Sequence, residues 1–138
     1  LTDQTVARAD AVTGAVYVPV GYVDEMGDAY AAADLMLGRA GAGTVMETAM
    51  TGLPTIFVPL PHGNGEQARN ATFLIEGGAG VLVADADLDA DRLFTEVIGL
   101  LDDPERLAAM SAACRGLVPT DASAALARLV LDVAQQRG

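Results

Sequence analysis

From Gly38 to Thr44 the chain reads GRAGAGT and runs on as VMETAMTGLP to Pro54: the end of an apolar strand, a glycine turn, then a helix. A helix start carries backbone N–H groups without intrahelical partners and a partial positive charge, so phosphate oxygens can bind there without a basic side chain. Gly41 and Gly43 would let the backbone approach such a group closely, and Thr44 could add a hydroxyl donor. A GxG alone is common; its weight here comes from its place between strand and helix. One helical turn on, Glu47 offers a carboxylate that could accept both hydroxyls of a ribose, although a glutamate there also suits the helix dipole. A second polar cluster, His62, Asn64, Glu66, Gln67 and Asn70, follows an apolar strand, and Glu66 and Asn70 fall one turn apart on a helix face. Such a set can hydrogen-bond several sugar hydroxyls; alternatively Asn64 or Gly65 caps a helix, the others are solvated, and His62 is a plain loop residue. In GYVDEM, Gly21 to Met26, Tyr22 and Val23 either bracket a flat base or mark a strand exit with a core tyrosine.

The elements that must position these residues alternate as in an α/β domain. Strands are expected at Ala15–Val20, Leu35–Gly38, Thr55–Pro59 and Gly80–Ala84. The continuous apolar character of Thr55–Pro59 marks a strand buried on both faces. Helices are expected over Asp24–Asp34, from about Thr44 to Met50 with Gly52 as its C′ residue, and over Glu66–Glu76. Three more follow: one opened by Asp87 or Asp89 and ending at Leu101, one opened by Asp103 and Pro104, and one opened by Asp121 or Ser123 and ending near Gln136. Strands alternating with helices predict a Rossmann-like, doubly wound parallel sheet, whose ligands bind outside the carboxyl ends of the strands.

Composition narrows the partners. The formal net charge is −11 over 138 residues, and all eight basic residues are arginine, so a long-range field would repel nucleic acid; any anion must be held locally. Length and a hydrophobic share of 51% fit one globular domain. The longest apolar run, LPTIFVPL, carries two prolines and is far below the roughly 20 residues of a membrane helix. The single cysteine, Cys114, excludes an intrachain disulfide and a cysteine-rich metal site and fits a reducing cytoplasm. The start LTDQT has no signal-peptide pattern, and a first residue other than Met suggests a fragment or a processed chain.

The order GYVDEM, DAYAAADLMLGRAGAGTVMETAMTGLPTIFVPLP and GNGEQARNA resembles, from about Val16 to Leu117, the C-terminal donor-binding half of the MurG family, peptidoglycan glycosyltransferases of the GT-B fold. The resemblance implies transfer of N-acetylglucosamine from UDP-GlcNAc to lipid I, giving lipid II with inversion, with no metal and no cofactor besides the UDP-GlcNAc donor. It implies that Tyr22 and Val23 line the uracil site with Met26 nearby, that Ala42, Gly43 and Thr44 meet the diphosphate, and that Glu47 binds the ribose. Glu66, standing where some relatives carry glutamine, then faces the donor sugar with Gln67 and Asn70, the last two acting on the hexose rather than on UDP.

The resemblance also implies partners: a UDP-sugar, an N-terminal acceptor domain of the same enzyme that supplies the general base, and a lipid-linked acceptor at the inner face of the cell membrane, where the complete enzyme would sit peripherally in the cytoplasm. The family's glycine-rich loop after the first strand of this half has no counterpart upstream of Ala15. A C-terminal half without its first strands is therefore expected, with a gap in its sheet between Ala15–Val20 and Leu35–Gly38 and no turnover by itself. Other readings are another UDP-sugar enzyme of the same fold, a natural-product glycosyltransferase or a UDP-GlcNAc 2-epimerase, and a noncatalytic nucleotide-binding module.

Overall fold

A computed structural model describes residues 18–119 and 121–136. The chain forms two compact units, Leu1–Ala32 and Ala33–Gly138. Of the strand expected at Ala15–Val20, residues 15–17 lie outside the described residues, and Val18–Val20 form no strand. Pro19 has no N–H to give to a ladder. The expected gap in the sheet beside that strand likewise falls outside the described residues. The first unit carries one described helix, α1 (Met26–Ala32), shorter at both ends than the expected Asp24–Asp34, with Tyr30 buried.

The second unit runs β1 (Met36–Gly38), α2 (Ala42–Thr51), β2 (Thr55–Phe57), α3 (Glu66–Glu76), β3 (Gly80–Leu82), a 3₁₀ turn (Asp85–Asp87), α4 (Ala90–Leu101), α5 (Pro104–Leu117) and α6 (Ala122–Gln136). The three strands pair in the order β1-β2-β3, all parallel, with Gly38 opposite Phe57 and Phe57 opposite Leu82. This is the parallel, helix-linked sheet that the alternating pattern predicts.

All three residues of the central strand are buried. Alternation along it divides the core: Phe57 packs on one face with Val45 and Ala49 of α2 and Ala71 and Leu74 of α3, while Ile56 and Val58 pack on the other with Val83, Leu100 of α4 and Met110 of α5. Cys114 of α5 belongs to the first cluster and Met110 to the second, so this helix closes both. Each large side chain removed from water contributes about 1.5–3 kcal/mol, and the apolar run around β2 is the main source of that stabilisation.

The helix ends follow local chemistry. Asp89 and Asp103 accept the N–H of Arg92 at 2.7 Å and of Arg106 at 2.9 Å, capping α4 and α5. Gly52 ends α2 in the left-handed conformation at φ 75°, while the Leu53 N–H reaches back to Thr48 O at 2.9 Å. α6 buries none of its residues and leaves Leu126, Leu129 and Leu131 exposed.

Other boundaries differ from the sequence reading as well: β1 starts at Met36 rather than Leu35, β2 ends at Phe57 rather than Pro59, and β3 ends at Leu82 rather than Ala84. α2 starts at Ala42 rather than near Thr44, so Gly43 lies in the first helical turn and not in the connecting turn. Gly41, extended at φ −64° and ψ 147°, is the N-cap, so the helix opens two residues earlier and takes in Gly43 despite the poor helix propensity of glycine.

Candidate functional site

β1 and β2 each deliver the chain, at their carboxyl ends, to a helix with a glycine start. α2 begins after Gly41 and α3 after Gly65, which takes φ 70°, a value that favours glycine; no side chain caps either helix. In α2 the first helical bond is Val45 N–H to Gly41 O at 2.9 Å, so the amides of Ala42, Gly43 and Thr44 precede it. In α3 the corresponding bond is Arg69 N–H to Gly65 O at 3.2 Å. The aspartate caps of α4 and α5 show that this chain uses side-chain caps elsewhere, each worth about 1 kcal/mol. At the two helices that follow β1 and β2 directly, the N-cap is a glycine, and among the described residues no side-chain cap closes the positive end.

Gly43 is exposed, and among the described residues a Cβ placed on it would meet nothing closer than Glu47 Oε1 at 4.0 Å. Packing among the described residues therefore does not require glycine there. The same distance shows the Glu47 side chain, one turn on in sequence, reaching back beside Gly43. Glu47 is exposed and Thr44 half-buried.

The polar cluster after β2 is drawn into the fold more than its composition suggests. The Leu60 N–H donates to Gln67 Oε1 at 2.9 Å, and Asn70 Nδ2 donates to Ala40 O at 3.1 Å. Gln67 keeps its amide donors and Asn70 its carbonyl oxygen for other partners. Asn64 accepts through its backbone carbonyl from Arg69 rather than capping with its side chain, while Glu66 and His62 are exposed. Of the expected site residues, Ala42, Gly43, Thr44, Glu47, Glu66, Gln67 and Asn70 belong to the second unit and cluster at the carboxyl edge of its sheet.

Tyr22, Val23 and Met26 belong to the first unit. Tyr22 is 82% exposed, which removes its reading as a core tyrosine; Tyr30 is the buried one. The sequence reading missed Arg39. Its Nη1 donates to Val58 O at 3.1 Å and Pro59 O at 3.5 Å and pairs with Asp85. Its signal was its place in GRAGAG, at the end of a strand in a chain poor in cations. Among the described residues, no three His, Cys, Asp or Glu side chains converge as metal ligands, and no helix is long and apolar enough to cross a membrane.

Known proteins are similar to this chain. A relative from Cutibacterium acnes, named UDP-N-acetylglucosamine–N-acetylmuramyl-(pentapeptide) pyrophosphoryl-undecaprenol N-acetylglucosamine transferase, is 60% identical over 125 residues, covering 91% of this chain and 33% of its own. A protein of the same name from Nocardioides sp. is 56% identical over 121 residues, 88% of this chain and 33% of its own. This chain thus spans about one third of the length of these curated relatives. The crystal structure of MurG from Acinetobacter baumannii superposes with a TM-score of 0.79 at 27% identity, over 94% of this chain and 39% of that one. A glycosyltransferase of kitacinnamycin, 23% identical with a TM-score of 0.58 over 86% of this chain and 30% of that one, shares the fold. Those likenesses converge with a family model that matches residues 3–128, nearly the whole sequence: the chain belongs to the family of the glycosyltransferase family 28 C-terminal domain.

Proposed function

We propose that this chain is the donor-binding part of an inverting glycosyltransferase that moves N-acetylglucosamine from UDP-GlcNAc to a lipid-linked muramoyl-pentapeptide. The observation that carries the reading is the uncapped start of α2, with its exposed Gly43, at the carboxyl end of β1, in a chain 60% identical to a relative of that named activity. In this reading the amides of Ala42, Gly43 and Thr44 take the diphosphate and Glu47 takes the ribose hydroxyls. Glu66, Gln67 and Asn70 face the hexose. Tyr22 and Val23, with Met26, hold the uracil; the exposure of Tyr22 suits a ring that stacks on a base.

Mechanistically, the acceptor hydroxyl loses its proton to a base in the remainder of the enzyme and attacks the anomeric carbon as the bond to UDP breaks. Negative charge then grows on the departing diphosphate. The open helix start, fixed before the reaction, stabilises that charge without reorganising. No metal is needed in this scheme, because the amides and the dipole do the neutralising. The acceptor domain is the N-terminal part of the complete enzyme, and the lipid acceptor places that enzyme peripherally on the inner face of the membrane.

Calorimetric titration of the full-length protein with UDP, UDP-GlcNAc, ADP and other UDP-sugars tests the reading. UDP and UDP-GlcNAc should bind and ADP should bind at least tenfold more weakly, a difference of about 1.4 kcal/mol. Equal binding of ADP, or no transfer of GlcNAc to the lipid-linked acceptor, would overturn it.

A further inference from the structure

Arg39 leaves β1 at the carboxyl edge of the sheet. A single guanidinium nitrogen, Nη1, meets the carbonyls of Val58 and Pro59 just past β2 and the carboxylate of Asp85 past β3. It thereby gathers the ends of all three strands. Two more bonds close a circuit: Leu60 N–H to Gln67 Oε1, and Asn70 Nδ2 to the carbonyl of Ala40, the neighbour of Arg39. Followed round, the contacts run from Arg39 to Val58–Leu60, on to Gln67 and Asn70 in α3, and back to Ala40. Both loops of the candidate site hang on this ring. The side chains of Arg39 and Asp85 are 49% and 34% exposed, so solvent screens their charges, and their contact matters more for direction than for Coulomb energy.

We propose that Arg39, oriented by Asp85, is a positioning residue of the sugar-nucleotide site: it holds the segment after β2, and through Leu60 the side chain of Gln67, in register with the glycine start of α2. The inference rests on the donor-site reading above. A direct role as a phosphate contact makes the opposite forecast for Asp85. If Arg39 bound phosphate, deleting the neighbouring carboxylate would remove a repulsive charge and strengthen anion binding; if Arg39 positions the loop, deleting Asp85 frees the guanidinium and weakens recognition of the sugar.

The test uses the full-length protein with Arg39→Ala, Arg39→Lys and Asp85→Ala. Calorimetry with UDP-GlcNAc should show a loss of roughly tenfold for Arg39→Ala and about threefold for Asp85→Ala, with UDP itself within about twofold of the parent. Arg39→Lys should fall between, since an ammonium gathers several acceptors on one nitrogen but sits on a shorter side chain. Hydrogen exchange at the Leu60 amide should quicken in Arg39→Ala at unchanged global stability. Stronger binding in Asp85→Ala, or equal losses for UDP and UDP-GlcNAc in Arg39→Ala, would overturn the positioning role. So would unchanged exchange at Leu60, which decides the matter even if the parent protein binds no UDP-sugar and the donor reading itself fails.

Discussion

The Asn70 side-chain amide donates to the carbonyl of Ala40 across 3.1 Å, joining α3 to the residue that precedes the glycine start of α2. A residue that the family resemblance expects at the donor sugar is thus a strut between the loops that follow β1 and β2. For Asn70 the expectation of an effect on the hexose alone changes accordingly. Asn70→Ala should weaken UDP and UDP-GlcNAc together by about 1–3 kcal/mol, as expected when a partly buried carbonyl loses its donor. Asn70→Asp, which cannot donate, should do no better. Parallel calorimetry with the two ligands checks this, and a loss confined to UDP-GlcNAc would return Asn70 to a purely sugar-facing role.

Gly43 sits in a helical turn, at a position where an added Cβ has room. Gly43→Ala should therefore raise stability by about 0.5–1 kcal/mol through helix propensity while lowering affinity for UDP. Gly43→Val, with a branched side chain over the amides, should cost UDP binding on the order of 1–3 kcal/mol. Thermal unfolding and UDP titration of the same variants make the comparison. A stabilised variant with undiminished UDP binding would remove the start of α2 from the site.

If Glu47 accepts ribose hydroxyls, its loss should act on the nucleotide irrespective of the sugar. Glu47→Ala should weaken UDP and UDP-GlcNAc alike, by about 1.5–3 kcal/mol for hydrogen bonds to a charged group. It should also erase most of the parent protein's preference for UDP over 2′-deoxy-UDP. Retention of that preference in the variant would show that another group reads the ribose.

Cys114 is 1% exposed between Leu53 and Ala79, and burial pushes its thiol above the ordinary value, with Arg115 opposing. A raised pKa in the folded state means that the native protein holds the proton more tightly than the unfolded chain. Stability is then unaffected below the unfolded pKa of about 8.5 and declines as pH rises from there toward the folded value. Denaturant unfolding between pH 7 and pH 10, compared with Cys114→Ala, should show this extra alkaline loss only when the thiol is present. The thiol should react with a thiol-specific reagent only on unfolding; rapid labelling of the native protein would contradict the assignment.

Much of the architecture was legible from local chemistry. The bounds of α3, Glu66–Glu76, follow from a polar, glycine-ended loop on one side and two glycines on the other; the starts of α4 and α5 follow from Asp89 and from the Asp103 and Pro104 pair. The burial of Thr55–Phe57 on both faces follows from an unbroken apolar run between two prolines. In each case the determining residues lie within one or two turns of the feature, so the pattern carries the information by itself.

The tertiary structure alone decided which polar groups are spent inside the fold. Arg39 finds Val58 across 19 positions and Asp85 across 46, and Asn70 finds Ala40 across 30. Nothing in the neighbourhood of these residues distinguishes a strut from a solvated side chain or a ligand contact, because a hydrogen bond depends on the separation and direction of two groups that only the packed sheet brings together. For the same reason Tyr22, which the sequence left open between a core tyrosine and a base-stacking ring, was settled as exposed only by the fold. Sequence determined that helices follow the strands at Gly38 and Phe57 after glycine-rich loops; the parallel pairing of β1, β2 and β3 decided that these two beginnings lie side by side.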